Sequence, residues 1–573
     1  MAFLDALDPA AWNHQHARHL LNRAGFGVPF ERIEHLAGLG PEAAVAYLVA
    51  YHAHPQDLDA PDFLLDPIEN REIRKMKEGF SEDEIRKAVN ERRAAERRAT
   101  EHLKSWWLDR MRTTNRPLEE KLTLFWHGHF ATSAQKVQQS SFNYQLNAVF
   151  REHAAGNFKD LAIAVGQSPA MLVYLDNRRS TKNKPNENWG RELMELFTLG
   201  QGNYTEDDIK NAARAFTGWT NRKLEFQLAL RNHDNGPKAF MGRTGGFDGW
   251  DIFKIIFEQP AAATFISRKL WEYFAYENPE PEIVEGLAQT LRANNYELKP
   301  LLTQLFLSRA FYSEKALGTQ VKSPAQLLVQ LCEDLDVPRV PPAFAGRAGR
   351  SLGQDLFYPP NVKGWEGNRA WVNANTLLLR YNMPVALVGA SLALQQKRSK
   401  MAEAVDPEMA GDGETMRDGG AMMPDDSAMM TGEEATPMMS REEYQEQTRQ
   451  ALKQKMAGLA PEERKQEMER FRKGDREARA AILEKYGVAP PPWTEGDPAR
   501  IFTEKPFKTA GECLDVLCRR FLVTPVQASQ RGTLLAALGA AGESAPLTAA
   551  DIDFAKRRAV VHLITSMAEY QLC

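Results

Sequence analysis

Glu192 and Glu195 lie in the stretch Lys184 to Trp219, KPNENWGRELMELFTLGQGNYTEDDIKNAARAFTGW, and are the side chains of this chain best suited to chemistry. With Pro185 and Asn186 opening a helix, Asn188, Glu192 and Glu195 fall at i, i+4 and i+7 and share one face. Leu193, Leu196 and Phe197 then take the neighbouring apolar face. Two carboxylates one turn apart can ligate a metal, work as an acid/base pair, or pair with Arg and Lys from elsewhere. The alternative is an ordinary salt-bridged surface face. The Gly200 and Gly202 turn, with Thr205 and Asp208 as a new helix cap, belongs to architecture.

A second group of candidates is His127 and His129, in the segment Phe125 to Phe130. A His-X-His pair can ligate one metal when the backbone turns or extends, whereas in a regular helix the two imidazoles diverge by roughly 200°. Gly128 between them makes the non-helical option credible, and the alternative is one core histidine and one capping or surface histidine. A third cluster, His233, Asp234 and Lys238, sits in a segment rich in Gly, Asn and Asp, which equally supply ordinary turns. Together His127, His129, Glu192, Glu195, His233 and Asp234 offer a nitrogen and oxygen shell for a divalent transition metal.

Arg23, Arg191, Lys238, Lys269, Lys322, Lys363 and Arg380 each stand in apolar or aromatic surroundings, where an unpaired charge is costly. They either pair with carboxylates or line a cleft for an anionic group. Trp189, Trp219, Trp365 and Trp371 suit stacking on sugar rings, or a core. No Walker loop, GxSxG elbow, dinucleotide fingerprint, kinase signature or HExxH motif occurs.

The elements that must position these groups are mainly helical, because apolar residues recur at helical spacing and period-two alternation is scarce. The expected fold is a multi-helix globular domain with long functional loops. A short β-hairpin around Phe226 to Phe240 is expected as its one sheet. Ser81 and Glu84 form a capping box that opens a long helix, whose charged half suggests a solvated face. Pro117 starts another helix, since proline is tolerated in the first turn. Residues 1–395 are expected to form the main helical core and 498–573 its C-terminal part. Between them, 396–497 form an insert. Eleven of the 19 methionines fall between Met401 and Met468. Within the insert, 400–439 read as a disordered Met-rich stretch, and 440–486 as a charged helical hairpin whose second helix starts at Pro461.

With 573 residues, 43% hydrophobic and 26% charged, the chain has ordinary globular composition. A net charge of -4 gives no global field for nucleic acid, and no nucleic-acid partner is expected. The four cysteines form no CxxC pair, so a disulfide framework is not expected. No apolar run is long enough to span a membrane. The N-terminal segment lacks a basic start and an apolar run of signal length, which points to the cytoplasm.

The segments HLLNRAGFG, KLTLFWHGHF, AGNFKDLAIAVGQSPAMLVYLDN, PNENWGRELMELFTLGQGNYTEDDIKNAARAFTGW, HDNGPKAFMGRTGGFDG, VKSPAQL and LFYPPNVKGWEGNRAWVNANTLLLR, with the closing RRAVVHLITSMAEYQL, together resemble the bacterial DUF1800 family. That family is a domain of unknown function. The resemblance implies a partner from the DUF1501 group, itself similar to the alkaline phosphatase and sulfatase superfamily, and an exported or envelope location. It implies no reaction. The residues themselves suggest a metal-assisted hydrolase acting on a polar polymer such as a glycan. In it, Glu192, Glu195, His233 and Asp234 would be catalytic and His127, His129, Glu192 and Glu195 would hold metal. Arg23, Asn188, Arg191, Lys238, Trp219 and Trp365 would bind substrate. The competing expectation is a non-catalytic helical scaffold for a DUF1501-like partner.

Overall fold

The computed structural model describes residues 2–55, 60–68, 80–335, 342–384, 461–473, 499–503 and 505–573, with single positions between 452 and 486. The chain divides into two compact units, Met1–Gly389 with Gly496–Cys573 and Ala390–Glu495. In the second unit a helix runs from Pro461 to Lys473, and Leu452, Met456 and Ile482 are buried together. The Met-rich stretch 400–439 and the expected helix start at Ser440 lie outside the described residues.

The first unit is mainly α. The Glu82–Thr113 helix begins at the Ser81 capping box, with Glu82, Asp83 and Glu84 in its first turn and Arg110 and Arg112 in its last. Both charge placements suit the helix dipole. Its charged side is not wholly a solvated face, because Glu96, Lys104 and Arg110 are buried. Glu96 accepts hydrogen bonds from the Ser140 backbone N–H and hydroxyl, both at 2.7 Å, and so fixes the start of the Ser140–Glu152 helix.

The Pro117–His129 helix is buried along its whole length except Gly128. Leu118, Leu122, Phe125 and Trp126 join one apolar core, and Leu124 joins a second. Its apolar side chains contribute to both cores, so the helix lies between them and its polar residues are enclosed as well. Its charged residues are met from neighbouring segments: Lys121 Nζ, for one, donates to Gln326 Oε1 at 2.9 Å and to the Asn22 carbonyl at 3.3 Å. Glu120, fully buried, accepts from Arg151 Nε at 2.6 Å and Nη2 at 3.0 Å, from Arg110 Nε at 3.0 Å and from Trp107 Nε1 at 2.9 Å.

Two hairpins form rather than the single one expected around Phe226 to Phe240. Strands β1 (Trp219–Arg222) and β2 (Glu225–Leu228) pair antiparallel, as do β3 (Lys238–Phe240) and β4 (Arg243–Gly245). The first hairpin turns at Lys223-Leu224 and the second at Met241-Gly242 in the Gly-rich segment, with Lys223, Met241 and Gly242 at positive φ.

The Glu206–Ala215 helix opens on the expected box, Thr205 and Asp208 capping each other reciprocally. Thr205→Ala is expected to cost about 1 kcal/mol. A urea midpoint indistinguishable from wild type would contradict this role of the cap.

Candidate functional site

The helical block carrying Glu192 is not continuous. An α-helix covers only Asn188–Glu192, and Leu193–Thr198 continue as a π-helix. The wider π turn changes the rotation of Glu195 relative to Asn188 and Glu192 from the one an α-helix would give, while the two carboxylates stay within electrostatic reach of each other. π turns are frequent at functional sites.

The environments of the two carboxylates are opposed. Glu192 is half-buried, and its pKa is raised by burial and then by the nearby charge of Glu195. Glu195 accepts from Gln201 Nε2 at 2.8 Å and from the Tyr204 hydroxyl at 2.9 Å. These bonds hold its pKa below the ordinary value. Both carboxylates lie within electrostatic reach of Lys363, and Glu192 within reach of Tyr174.

Lys363 is delivered by a loop packed on the end of the Pro117–His129 helix. Gly364 has φ +79, and a Cβ there would lie 2.1 Å from the Gly128 carbonyl oxygen. The Phe357 N–H donates to His127 Nε2 at 3.0 Å, and the Trp365 ring stands 5.5 Å from that imidazole. Gly364→Ala is expected to cost about 1–3 kcal/mol, because both the backbone angle and a backbone atom oppose the methyl group. Thermal unfolding at an unchanged midpoint would show that the loop does not need this approach.

His127 and His129 belong to the last helical turn, not to an extended segment, so their rings diverge. His127 faces Trp107 and Phe357, and burial lowers its pKa to about 3. His129 Nε2 donates to the Phe197 carbonyl at 3.0 Å, and its Nδ1 lies 3.5 Å from Lys269 Nζ. The one remaining lone pair of His129 thus faces an ammonium group. Among the described residues no group of three or more His, Cys, Asp and Glu is arranged to hold a metal ion. The structure does not bring His127, His129, Glu192 and Glu195 together as a ligand shell.

His233, Asp234 and Lys238 form a cluster of their own. His233 Nδ1 donates to Thr217 O at 2.9 Å, and Asp234 takes Arg214 Nε at 2.8 Å and the Gly236 N–H at 2.8 Å. Lys238 Nζ, on a buried residue, donates to the Asp234 carbonyl at 2.6 Å. The Arg214 bond ties the turn before β3 to the preceding helix and the Thr217 bond ties it to the residues just past that helix, while the Gly236 and Lys238 bonds close the turn on itself.

The expected substrate contacts are mostly spoken for. Arg23 is buried and donates to the carbonyls of Ala275 at 3.0 Å and Ala316 at 2.6 Å, so its charge is met by backbone oxygens rather than by a carboxylate. Arg191 makes a two-point pair with Glu206, both bonds at 2.9 Å, and reaches Glu187. Trp219 is buried among Phe216, Phe226 and Trp250 and presents no face to solvent. Asn188 is exposed and Trp365 partly so, and these two keep a surface.

Gln201 and Tyr204, which hold Glu195, escape a sequence reading that assigns the Gly200 turn to architecture. The available signal is an amide and a phenol six and nine residues beyond the second carboxylate. A cavity of about 270 Å³ lies elsewhere, lined by Leu64, Leu65, Tyr144, Gln145 and Leu224 among others, and contains none of the candidate residues.

A family model described as "Protein of unknown function (DUF1800)" matches residues 19–572. No curated protein and no solved structure matches the chain.

Proposed function

We propose, from the premise that the chain belongs to the DUF1800 family, that it is a hydrolase working by acid/base catalysis at Glu192 and Glu195 on a polar polymer such as a glycan. The observation that carries this reading is the opposed tuning of two neighbouring carboxylates. Glu192 is pushed toward its protonated form by burial and by Glu195, while Glu195 is kept ionised by Gln201 and Tyr204. A pair of groups whose environments push their pKa values apart is what general acid and general base roles require.

In this reading Glu192 gives its proton to the leaving oxygen. Glu195, as carboxylate, takes a proton from the attacking water or stabilises developing positive charge on the sugar ring. Tyr174, Tyr204 and Trp365, each partly exposed, supply faces for sugar rings, and Lys363 holds a polar or anionic substituent. His233, Asp234, Arg23 and Lys238 are assigned to the fold, in keeping with their bonding. A divalent metal is not needed for this chemistry.

The test is a release assay for new reducing ends across a panel of neutral and acidic polysaccharides. It is paired with titration of the ¹³C-labelled glutamate carboxyls, assigned through Glu192→Gln and Glu195→Gln. Cleavage that disappears in both variants, with the Glu192 pKa above that of Glu195, is the expected result. Equal pKa values, or cleavage indifferent to both substitutions, would overturn it.

A further inference from the structure

The π turn that separates Glu192 from Glu195 is held by two side chains outside it. Leu199 N–H and Gly200 N–H both donate to the Met194 carbonyl, at 2.9 and 3.0 Å, and the Thr198 hydroxyl donates to the Leu193 carbonyl at 2.5 Å. In an α-helical register the carbonyls of Leu196 and Phe197 would receive the N–H groups of Gly200 and Gln201, four residues on. They receive side chains instead. Phe197 O accepts from His129 Nε2 at 3.0 Å, and Leu196 O from Lys269 Nζ at 3.4 Å.

The two donors are linked to each other, since Lys269 Nζ lies 3.5 Å from His129 Nδ1. That contact and the Phe197 carbonyl together fix one neutral tautomer, with the proton on Nε2. Both donors are enclosed: His129 is buried, and Lys269 packs with its ammonium 5.0 Å from the Phe265 ring centre. Phe265 also backs the Gly200 turn, where a Cβ would sit 3.1 Å from its ring and where φ is +80. The turn that carries Gln201 toward Glu195 is thus pressed from the same helix that supplies Lys269.

We infer that His129 and Lys269 are positioning residues that keep Leu193–Thr198 in the π register and so set Glu195 against Glu192, Gln201 and Tyr204. They do this by occupying the two carbonyls that the α register would need. Without them, the backbone N–H groups of Gly200 and Gln201 become the best available partners, because a buried carbonyl left unpaired is costly. The segment then tightens, Glu195 rotates, and the Gln201 side chain is drawn away from it. The proposal rests on the reading of Glu192 and Glu195 as an acid/base pair. It also gives the His-X-His motif a role that needs only one of its histidines.

The experiment compares His129→Phe and Lys269→Met with the conservative variants His129→Gln and Lys269→Arg, which retain donors. Two quantities are read in the full chain. One is hydrogen exchange of the Leu199, Gly200 and Gln201 amides. The other is the ratio of proton affinities of Glu192 and Glu195. In the apolar variants the Gln201 amide is expected to slow as it enters the helix, and the affinity ratio to fall at least tenfold. The conservative variants are expected to keep both near wild type. The inference is overturned if exchange and titration are unchanged in both apolar variants, or if the conservative ones behave like the apolar ones. If the register shifts as expected but the wild-type chain cleaves no polymer, the positioning role stands and the hydrolase reading falls.

Discussion

Replacing Glu120 by alanine is expected to destabilise the chain by about 3–5 kcal/mol. The carboxylate is fully buried and accepts four hydrogen bonds, two from Arg151 and one each from Arg110 and Trp107. Removing it leaves two buried guanidinium groups facing an emptied site. Glu120→Gln should cost nearly as much, because it preserves the shape but removes the charge. The double change Glu120→Leu with Arg151→Met should recover part of the loss, since an apolar pair carries no desolvation penalty.

The sign of the pH dependence follows from the direction of the shift. The Glu120 pKa is lowered in the folded chain: burial works against ionisation, but Arg151 and Arg110 outweigh it. A group with a depressed folded pKa stabilises fully above its unfolded value, about 4.3, and that contribution is lost as pH falls through the folded value. The wild-type chain should therefore lose stability on acidification below about pH 4 more steeply than Glu120→Gln. Equilibrium urea unfolding followed by tryptophan fluorescence measures both effects. A loss under about 1 kcal/mol for Glu120→Ala would mean that the network is not the anchor described here.

The second large effect concerns activity. Glu192→Gln and Glu195→Gln are each expected to lower kcat by about 10²–10⁴-fold, the usual contribution of a placed acid or base. The active form has Glu195 ionised and Glu192 protonated. Glu195 is lowered from 4.5 by Gln201 and Tyr204, and Glu192 is raised from 4.5 by burial and Glu195, so the window of activity straddles that value. Activity should fall on the acid side as Glu195 takes a proton and on the alkaline side as Glu192 loses one. Because the two groups interact, the limbs report values that belong to the pair. Glu192→Gln should abolish the alkaline limb and Glu195→Gln the acid one. A profile with both limbs intact in either variant would remove that residue from the reaction.

The mainly helical architecture, the caps at Ser81 and Thr205 and the helix starts at Pro117 and Pro461 were legible in the sequence. Each depends on residues within one or two turns of each other, where spacing alone decides which hydrogen bonds can form. The family was legible for a related reason, since many short motifs in fixed order match along residues 19–572.

What the tertiary structure decided was the partner of each polar group. The sequence offers Glu192 and Glu195 at helical spacing, but the π turn between them depends on donors from His129, 68 residues away from its acceptor Phe197, and from Lys269, 73 residues from Leu196. His127 and His129 look like a pair in the sequence, yet the helix turns His127 toward Trp107 and Phe357 and His129 toward the Phe197 carbonyl and Lys269. Arg23 looks available for a substrate until Ala275 and Ala316 are brought to it from 252 and 293 residues away. Local periodicity determines which face a side chain takes. Whether that face meets a carbonyl, a carboxylate or solvent is set by packing between distant segments.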